Sequence, residues 1–314
     1  MDLDKLAVVQ AQFLCGYPVK KINLESLFQN ISWESQQIFL KETIGHSLII
    51  SKPISYAYLV AFLREAIQVL EQKTQEVHDD FYTEFLRVQQ LASVDQTQVY
   101  KHYRVALNNA IVSVRETTRL ITDGTTGLRT WPASLALCEW FTHNLSKFSG
   151  KTVIELGAGI GMAGIVLAQI ANNCKILLTD FHERVLNFLI ENIKENSLGS
   201  NNNSLQAIPF DWTSEEDLEK IRRDHTPDIV YAADVVYDSE IFPALCRVLK
   251  NFIKMNNCDV ILSCTVRNEI TFQDFISKLD DEDLSISLEK FYEANNFYWD
   301  NSCEIKIFSV RLKN

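Results

Sequence analysis

The sequence predicts an α/β protein: an all-α N-terminal domain, then a mostly parallel sheet with helices on both faces and an antiparallel strand at its C-terminal end. Three observations predict it. Apolar residues recur at helical spacing through most of residues 1–95. From Lys151 onward, short apolar runs alternate with amphipathic segments, the pattern of parallel strands joined by crossover helices. The last two strand-like runs, Leu284 to Tyr292 and Cys303 to Leu312, follow one another with no helix between them, which calls for an antiparallel pairing.

Taken in order, helices are expected over Leu3 to Leu14, Trp33 to Leu48, Tyr56 to Leu70 and Phe81 to Leu91, with Pro53 and the Ser51/Ser55 pair separating two of them. The polar stretch Ser93 to Gln98 reads as a linker and places a domain boundary near residue 95, dividing 1–95 from 96–314. Ile111 to Glu116 is β-branched and partly alternating, a strand leading into the loop Asp123 to Gly127; Pro132 to Leu145 reads as a helix. The alternating half then gives strands at Thr152–Leu156, Lys175–Asp180, Gln206–Asp211, Asp228–Asp234 and Asp259–Cys264. The intervening helices are expected at Ile160–Ile170, Glu183–Glu195, 217–223, 243–255 and 269–279. Asn201-Asn202-Asn203 reads as a polar loop.

Charge and composition exclude several classes of function. The chain has 314 residues with 30 Lys+Arg and 41 Asp+Glu, a net charge of −11, the opposite of the basic stripe that a nucleic-acid clamp needs. The imbalance lies in one half: residues 1–150 carry 14 basic and 15 acidic side chains, residues 151–314 carry 16 and 26. No run reaches the roughly 18 apolar residues of a membrane span, and the start, Met1-Asp2-Leu3-Asp4, is acidic where an export signal is basic. A cytoplasmic, monomeric protein is the expectation. The seven cysteines are never two or three residues apart and the six histidines are scattered, so neither a zinc site nor a disulfide framework is expected.

The chemistry concentrates at Glu155-Leu156-Gly157-Ala158-Gly159-Ile160-Gly161-Met162-Ala163-Gly164. Glycines between a strand and a helix let the backbone approach a ligand closely, and the helix start offers free N–H groups. Two cofactors fit. Gly159-x-Gly161-x-x-Gly164 matches a dinucleotide fingerprint. Yet that match begins after the turn has started at Gly157, and Glu155 ends the strand with a carboxylate, which suits the cationic, zwitterionic head of S-adenosylmethionine. Asp180 ends the second strand, where an acid accepts both ribose hydroxyls of either cofactor. Asp211-Trp212 at the end of the third strand would set an acid near an adenine amino group and a ring beside the base. Each also has a purely structural alternative: a tight turn, a helix cap, a packed indole.

Thr126-Gly127-Leu128-Arg129-Thr130-Trp131-Pro132-Ala133, the Glu-Leu-Gly-Ala-Gly-Ile-Gly loop and Ala232-Ala233-Asp234-Val235-Val236-Tyr237-Asp238 resemble, in that order, the seven-β-strand protein methyltransferases of family 16. The resemblance implies a seven-stranded, Rossmann-like methyltransferase sheet and S-adenosyl-L-methionine as donor. It places donor contacts on Trp131, Glu155, Gly157, Gly159, Asp180, Trp212 and Ala233, with their loop neighbours Ala158, Gly161, Phe181 and Asp211. Its Asp-x-x-Tyr element falls on Asp234 and Tyr237 as the catalytic pair. The long helical extension looks most like the members that act on elongation factor 2, so a protein partner is implied and the helical domain becomes its recognition surface.

Lysine methylation poses one electrostatic problem. An ammonium with a pKa near 10.4 cannot attack, so the site must capture it and shed a proton. On this reading Asp234 attracts the ammonium, Tyr237 orients the amine, and the cationic donor helps to lower the lysine pKa. A small-molecule methyltransferase on the same fold and a non-catalytic donor-binding scaffold are the alternatives.

Overall fold

The computed structural model describes residues 1–73, 76–122, 124–196 and 202–313, so Asp123 of the expected loop and Asn201 of the asparagine run lie outside the described residues. The chain forms two compact units, one of Met1–Arg104 with Ser113–Leu120, the other of Val105–Val112 with Ile121–Asn314.

The first unit is built from α1 (Leu3–Leu14), α2 (Leu24–Leu27), α3 (Trp33–Glu42), α4 (Ser47–Ser51), α5 (Tyr56–Lys73) and α6 (Asp79–Leu91). Phe13, Phe28, Phe39, Phe62 and Phe81 are all fully buried at its centre; Phe13 and Phe62 lie 4.4 Å apart and Phe28 meets Phe39 edge-on at 4.8 Å. The single helix expected over Trp33 to Leu48 is two. Thr43 bonds back to the Phe39 carbonyl at 2.7 Å and Gly45 donates to the Leu40 carbonyl at 2.8 Å, which closes α3 before α4 begins.

The segment beyond residue 95 holds a hairpin, β1 (Gln98–Val105) and β2 (Ala110–Thr117), where one strand was expected. Polar residues inside β1 hide its alternation. Lys101 pairs with the buried Glu116 at 3.0 Å. His102 is fully buried, its ring nitrogens 2.8 Å from the Ser113 hydroxyl and 2.9 Å from the Lys52 carbonyl. Burial holds its pKa down to about 4, so the ring stays neutral.

In the second unit α7 (Pro132–His143) precedes β3 (Thr152–Leu156), α8 (Met162–Ile170), β4 (Lys175–Asp180), α9 (Glu183–Glu195), β5 (Ser204–Pro209), α10 (Glu215–Asp224), β6 (Ile229–Ala233), α11 (Phe242–Asn256), β7 (Asp259–Val266), α12 (Glu269–Asp281), β8 (Leu284–Leu288) and β9 (Glu304–Leu312). The seven strands are ordered β5-β4-β3-β6-β7-β9-β8. All neighbours from β5 to β7 pair in parallel, and β9 runs antiparallel to both β7 and β8. The strand order turns back between β3 and β6, and an open α/β sheet leaves a crevice at the carboxyl ends there. Helix α8 is buried along its whole length, as a crossover helix against a doubly covered sheet must be. Among the described residues, no helix is long and apolar enough to cross a membrane.

One buried carboxylate ties the C-terminal connection to α7. Glu139, with no exposed surface, accepts from the backbone N–H groups of Asn295 (3.3 Å), Asn296 (2.8 Å) and Phe297 (3.2 Å) and from the Asn296 amide (2.7 Å). Glu139→Ala leaves these donors facing a void, so urea denaturation should show a loss of about 3 kcal/mol or more. A loss below about 1 kcal/mol would show that solvent reaches them.

Candidate functional site

A cleft of about 450 Å³ opens at the carboxyl ends of β3, β4 and β6, bordered by the 124–131 segment and the loop after β5. Its floor is the glycine turn. Gly157 and Gly159 take φ of +63° and +55°. A Cβ on Gly159 would come within 2.9 Å of the Gly127 carbonyl oxygen, and one on Gly157 within 3.0 Å of Val235 and 3.3 Å of the Trp212 ring. Only glycine permits both the backbone sign and the approach. Ala158 donates to the Thr179 carbonyl at 2.8 Å and Gly159 to Asp180 Oδ2 at 3.1 Å, which binds the turn to β4.

Of the residues singled out in the sequence, Trp131, Glu155, Gly157, Ala158, Gly159, Asp180, Phe181, Asp211, Trp212, Ala233, Asp234 and Tyr237 all line this cleft, and Gly161 does not. Gly161 caps α8 in the left-handed region at φ +87°, where a Cβ would come 2.4 Å from Leu189. Its role is to begin the helix, which is why α8 starts at Met162 and not at Ile160.

Three acids divide the work. Asp180 accepts from His182 at 3.2 Å as well as from Gly159, and burial raises its carboxyl above the ordinary range against these bonds. Glu155 is 2% exposed. Its Oε2 accepts from the Tyr231 hydroxyl at 3.0 Å, and the Gly164 amide in the first turn of α8 also donates to it. A Cβ on Gly164 would come 2.9 Å from that same oxygen, so the third glycine of the dinucleotide-like pattern serves the carboxylate. Burial pushes Glu155 up to about 8 against those two bonds, leaving it protonated near neutrality.

Asp234, the expected ammonium receptor, is already hydrogen-bonded on both oxygens. Its Oδ1 accepts from the Thr265 N–H at 2.9 Å and from Arg267 at 3.2 Å. Its Oδ2 accepts from the Thr265 hydroxyl at 2.9 Å, Arg267 at 3.3 Å and the Ala133 N–H at 3.3 Å. The carboxylate thus carries five donor contacts and already holds a cation, and it fastens the neighbouring elements to one another. Arg267 also lies 4.8 Å over the Trp131 ring, whose Nε1 donates to the Thr126 carbonyl at 3.1 Å. Neither Arg267 nor Thr265 was singled out in the sequence; their one signal is their place at the carboxyl end of β7, where such sheets gather functional residues. Tyr237 is 61% exposed at the cleft mouth, its hydroxyl beside the Thr126 side chain, and Phe181 is 68% exposed.

A family profile described as lysine methyltransferase matches residues 109–282, more than half of the chain. The chain therefore belongs to the lysine methyltransferase family. It is similar to the human protein-lysine N-methyltransferase EEF2KMT, with 27% identity across 96% of this chain and 95% of the relative. The mouse protein of that name is 30% identical over 77% of this chain and 74% of its own length, and EFM3 of Chaetomium thermophilum 29% over 57% and 55%. An O-methyltransferase from Bacillus cereus solved in complex with SAH aligns with a TM-score of 0.40 at 14% identity, over 59% of this chain and 83% of that one.

The residues present fit S-adenosylmethionine. The glycine turn is a cradle that any Cβ would fill, Asp180 at the end of β4 offers carboxylate oxygens that would suit ribose hydroxyls, and Trp212 lines the cleft with an aromatic face that would suit a purine. Among the described residues no cluster could hold a metal ion.

Two outcomes check this geometry. A glutamate ordinarily ionises near 4.5, and Glu155 in the folded chain near 8. Between these values the native state holds one more proton than the unfolded one, so this group's contribution to stability falls as pH rises through that window and levels off above it. Urea midpoints of Glu155→Gln should lack that slope, and parallel curves for parent and variant would contradict the raised pKa. Asp234→Asn should lower the melting temperature by several degrees, because Arg267 loses its counter-charge and one of the two accepting oxygens becomes an NH2 that faces donors; an unchanged melting temperature would show that these contacts do not hold the turn in place.

Proposed function

We propose that the protein is an S-adenosylmethionine-dependent protein-lysine N-methyltransferase acting on elongation factor 2 in the cytoplasm. The observation that carries the reading is the cleft itself: a glycine cradle with an acid at the end of β4, at the switch point of the sheet, with an aromatic hydroxyl at its mouth. Its likeness to human EEF2KMT runs through the helical unit as well as the α/β unit, which supports the substrate. When bound, the donor supplies a methyl group activated by a sulfonium.

The chain's own residues do the rest. Asp180 holds the ribose, the Gly157–Gly159 backbone fixes the depth at which the donor lies, and the Trp131 wall is held rigid by Arg267. In-line displacement is governed by positioning, and these contacts set the position. The lysine arrives through the mouth beside Tyr237, whose ring bounds the channel and whose hydroxyl orients the nitrogen. With Asp234 saturated, the ammonium proton leaves to water at the open mouth, so the rate rises with pH. The helical unit docks the substrate protein: on α6, Tyr82 and Leu86 lie one turn apart and are 41% and 59% exposed, an apolar pair for a partner to cover.

Incubation with radiolabelled donor and cell extract should label one large protein band that comigrates with elongation factor 2. Label in small metabolites would establish the small-molecule alternative instead. Asp180→Ala should weaken donor binding by about ten-fold in calorimetry. Leu86→Glu should leave donor binding intact while reducing protein labelling; equal labelling would move the docking surface off α6.

A further inference from the structure

Arg129 is the one basic side chain among the described residues that line the cleft, which include five acids, Glu155, Asp180, Asp211, Asp234 and Asp238. It is half-buried, and among the described residues it pairs with no carboxylate, whereas Arg267 at the same end of the sheet is committed to Asp234. We propose that Arg129 is the receptor for the α-carboxylate of the donor's amino-acid end, a subsite that rests on the donor assignment above.

The placement follows from strand order. The sheet runs β5-β4-β3-β6 across the cleft. Trp212 and Asp211 follow β5, Asp180 ends β4, the glycine turn follows β3, and Ala233 ends β6. A nucleoside with its ribose on Asp180 and its base toward Trp212 directs its 5′ end the other way, over the glycine turn toward β6. The 124–131 segment closes that side: Gly127 lies against Gly159, and Trp131 is fixed by Thr126 and Arg267. Arg129 stands between these two anchored points of the chain.

A carboxylate entering this end of the cleft meets the charges of Asp234 and Asp238 and is repelled unless a cation faces it. Asp234 is neutralised by Arg267, so the field there is reduced but not reversed. A guanidinium presents a planar fork of donors that matches a carboxylate's two oxygens, and it stays charged at any working pH. The remaining anion receptor at this end is the start of α8, whose amides compete for the same group.

The test needs no substrate protein. S-adenosylhomocysteine carries the α-carboxylate; 5′-methylthioadenosine has the same nucleoside and thioether without the amino-acid end. Calorimetry on the full chain should show Arg129→Met weakening S-adenosylhomocysteine about ten-fold or more while leaving methylthioadenosine within about two-fold, and Arg129→Lys recovering part of the loss. Parental affinity of Arg129→Met for S-adenosylhomocysteine would assign the carboxylate to the start of α8 and overturn the proposal. Equal weakening of both ligands would overturn it too, because Arg129 would then act by shaping the cleft. Failure of the parent to bind either nucleoside would overturn the donor assignment, a result distinct from both.

Discussion

The turn between β3 and α8 constrains everything around it. Within Gly157–Gly161 the chain leaves a buried strand, crosses the crevice at the switch point and enters a buried helix. Its contacts come from four parts of the chain: Val235 after β6, Trp212 after β5, Thr179 and Asp180 on β4, and Gly127 in the lip formed by the 124–131 segment. Backbone packed this closely against five neighbours has no room to adjust, so the turn sets their spacing as much as they set its own. A side chain at Gly159 would have to displace the Gly127 carbonyl, and the lip carrying Trp131 would move with it. The cleft is thus a product of packing and is shaped before any ligand arrives, which suits a reaction governed by orientation.

Its charges are less uniform than the sequence suggests. Five acids around one arginine would make an unstable pocket if all were ionised and bare, since a buried carboxylate without a partner is costly. The structure removes that cost differently at each position. Asp234 is matched by Arg267 and four further donor contacts from Thr265, Ala133 and the guanidinium's second nitrogen. Asp180 is held by two backbone amides. Asp211 closes a turn, its Oδ1 accepting from the Thr213 amide at 2.8 Å and hydroxyl at 2.7 Å. Glu155, sealed beneath the glycine turn, stays protonated up to about pH 8 while bonded to Tyr231.

Much of this was legible in the sequence because its signals were local. The strands Thr152–Leu156 and Lys175–Asp180 were placed to the residue, since each is a short apolar run flanked by polar residues. The antiparallel position of β9 followed from a missing helix. The acids at strand ends were visible because strand ends are. What escaped were pairings between distant residues. Arg267 lies 33 positions from Asp234, and nothing in Asp-Val-Val-Tyr says that its acid is already occupied. Lys101 and His102 interrupt the alternation of β1, because their partners Glu116 and Ser113 come from β2 and meet them only once the hairpin has formed. Thr43 broke a helix through a hydroxyl bond that no apolar periodicity records.

The Asp-x-x-Tyr element places its two ends in different surroundings. Asp234 sits at φ +55°, a left-handed conformation that short polar side chains tolerate better than most. It ends β6 abruptly, and its carboxylate fastens that turn to β7 through Thr265 and to α7 through Ala133. The chain then passes Val235 and Val236, both buried against the core, before Tyr237 emerges exposed at the mouth. Two buried valines and one anchored turn dictate where the tyrosine stands. The spacing of three therefore measures the distance from the sheet to the mouth of the cleft: the acid is the fixed end of a bracket, and the tyrosine is the end that stands exposed at the mouth.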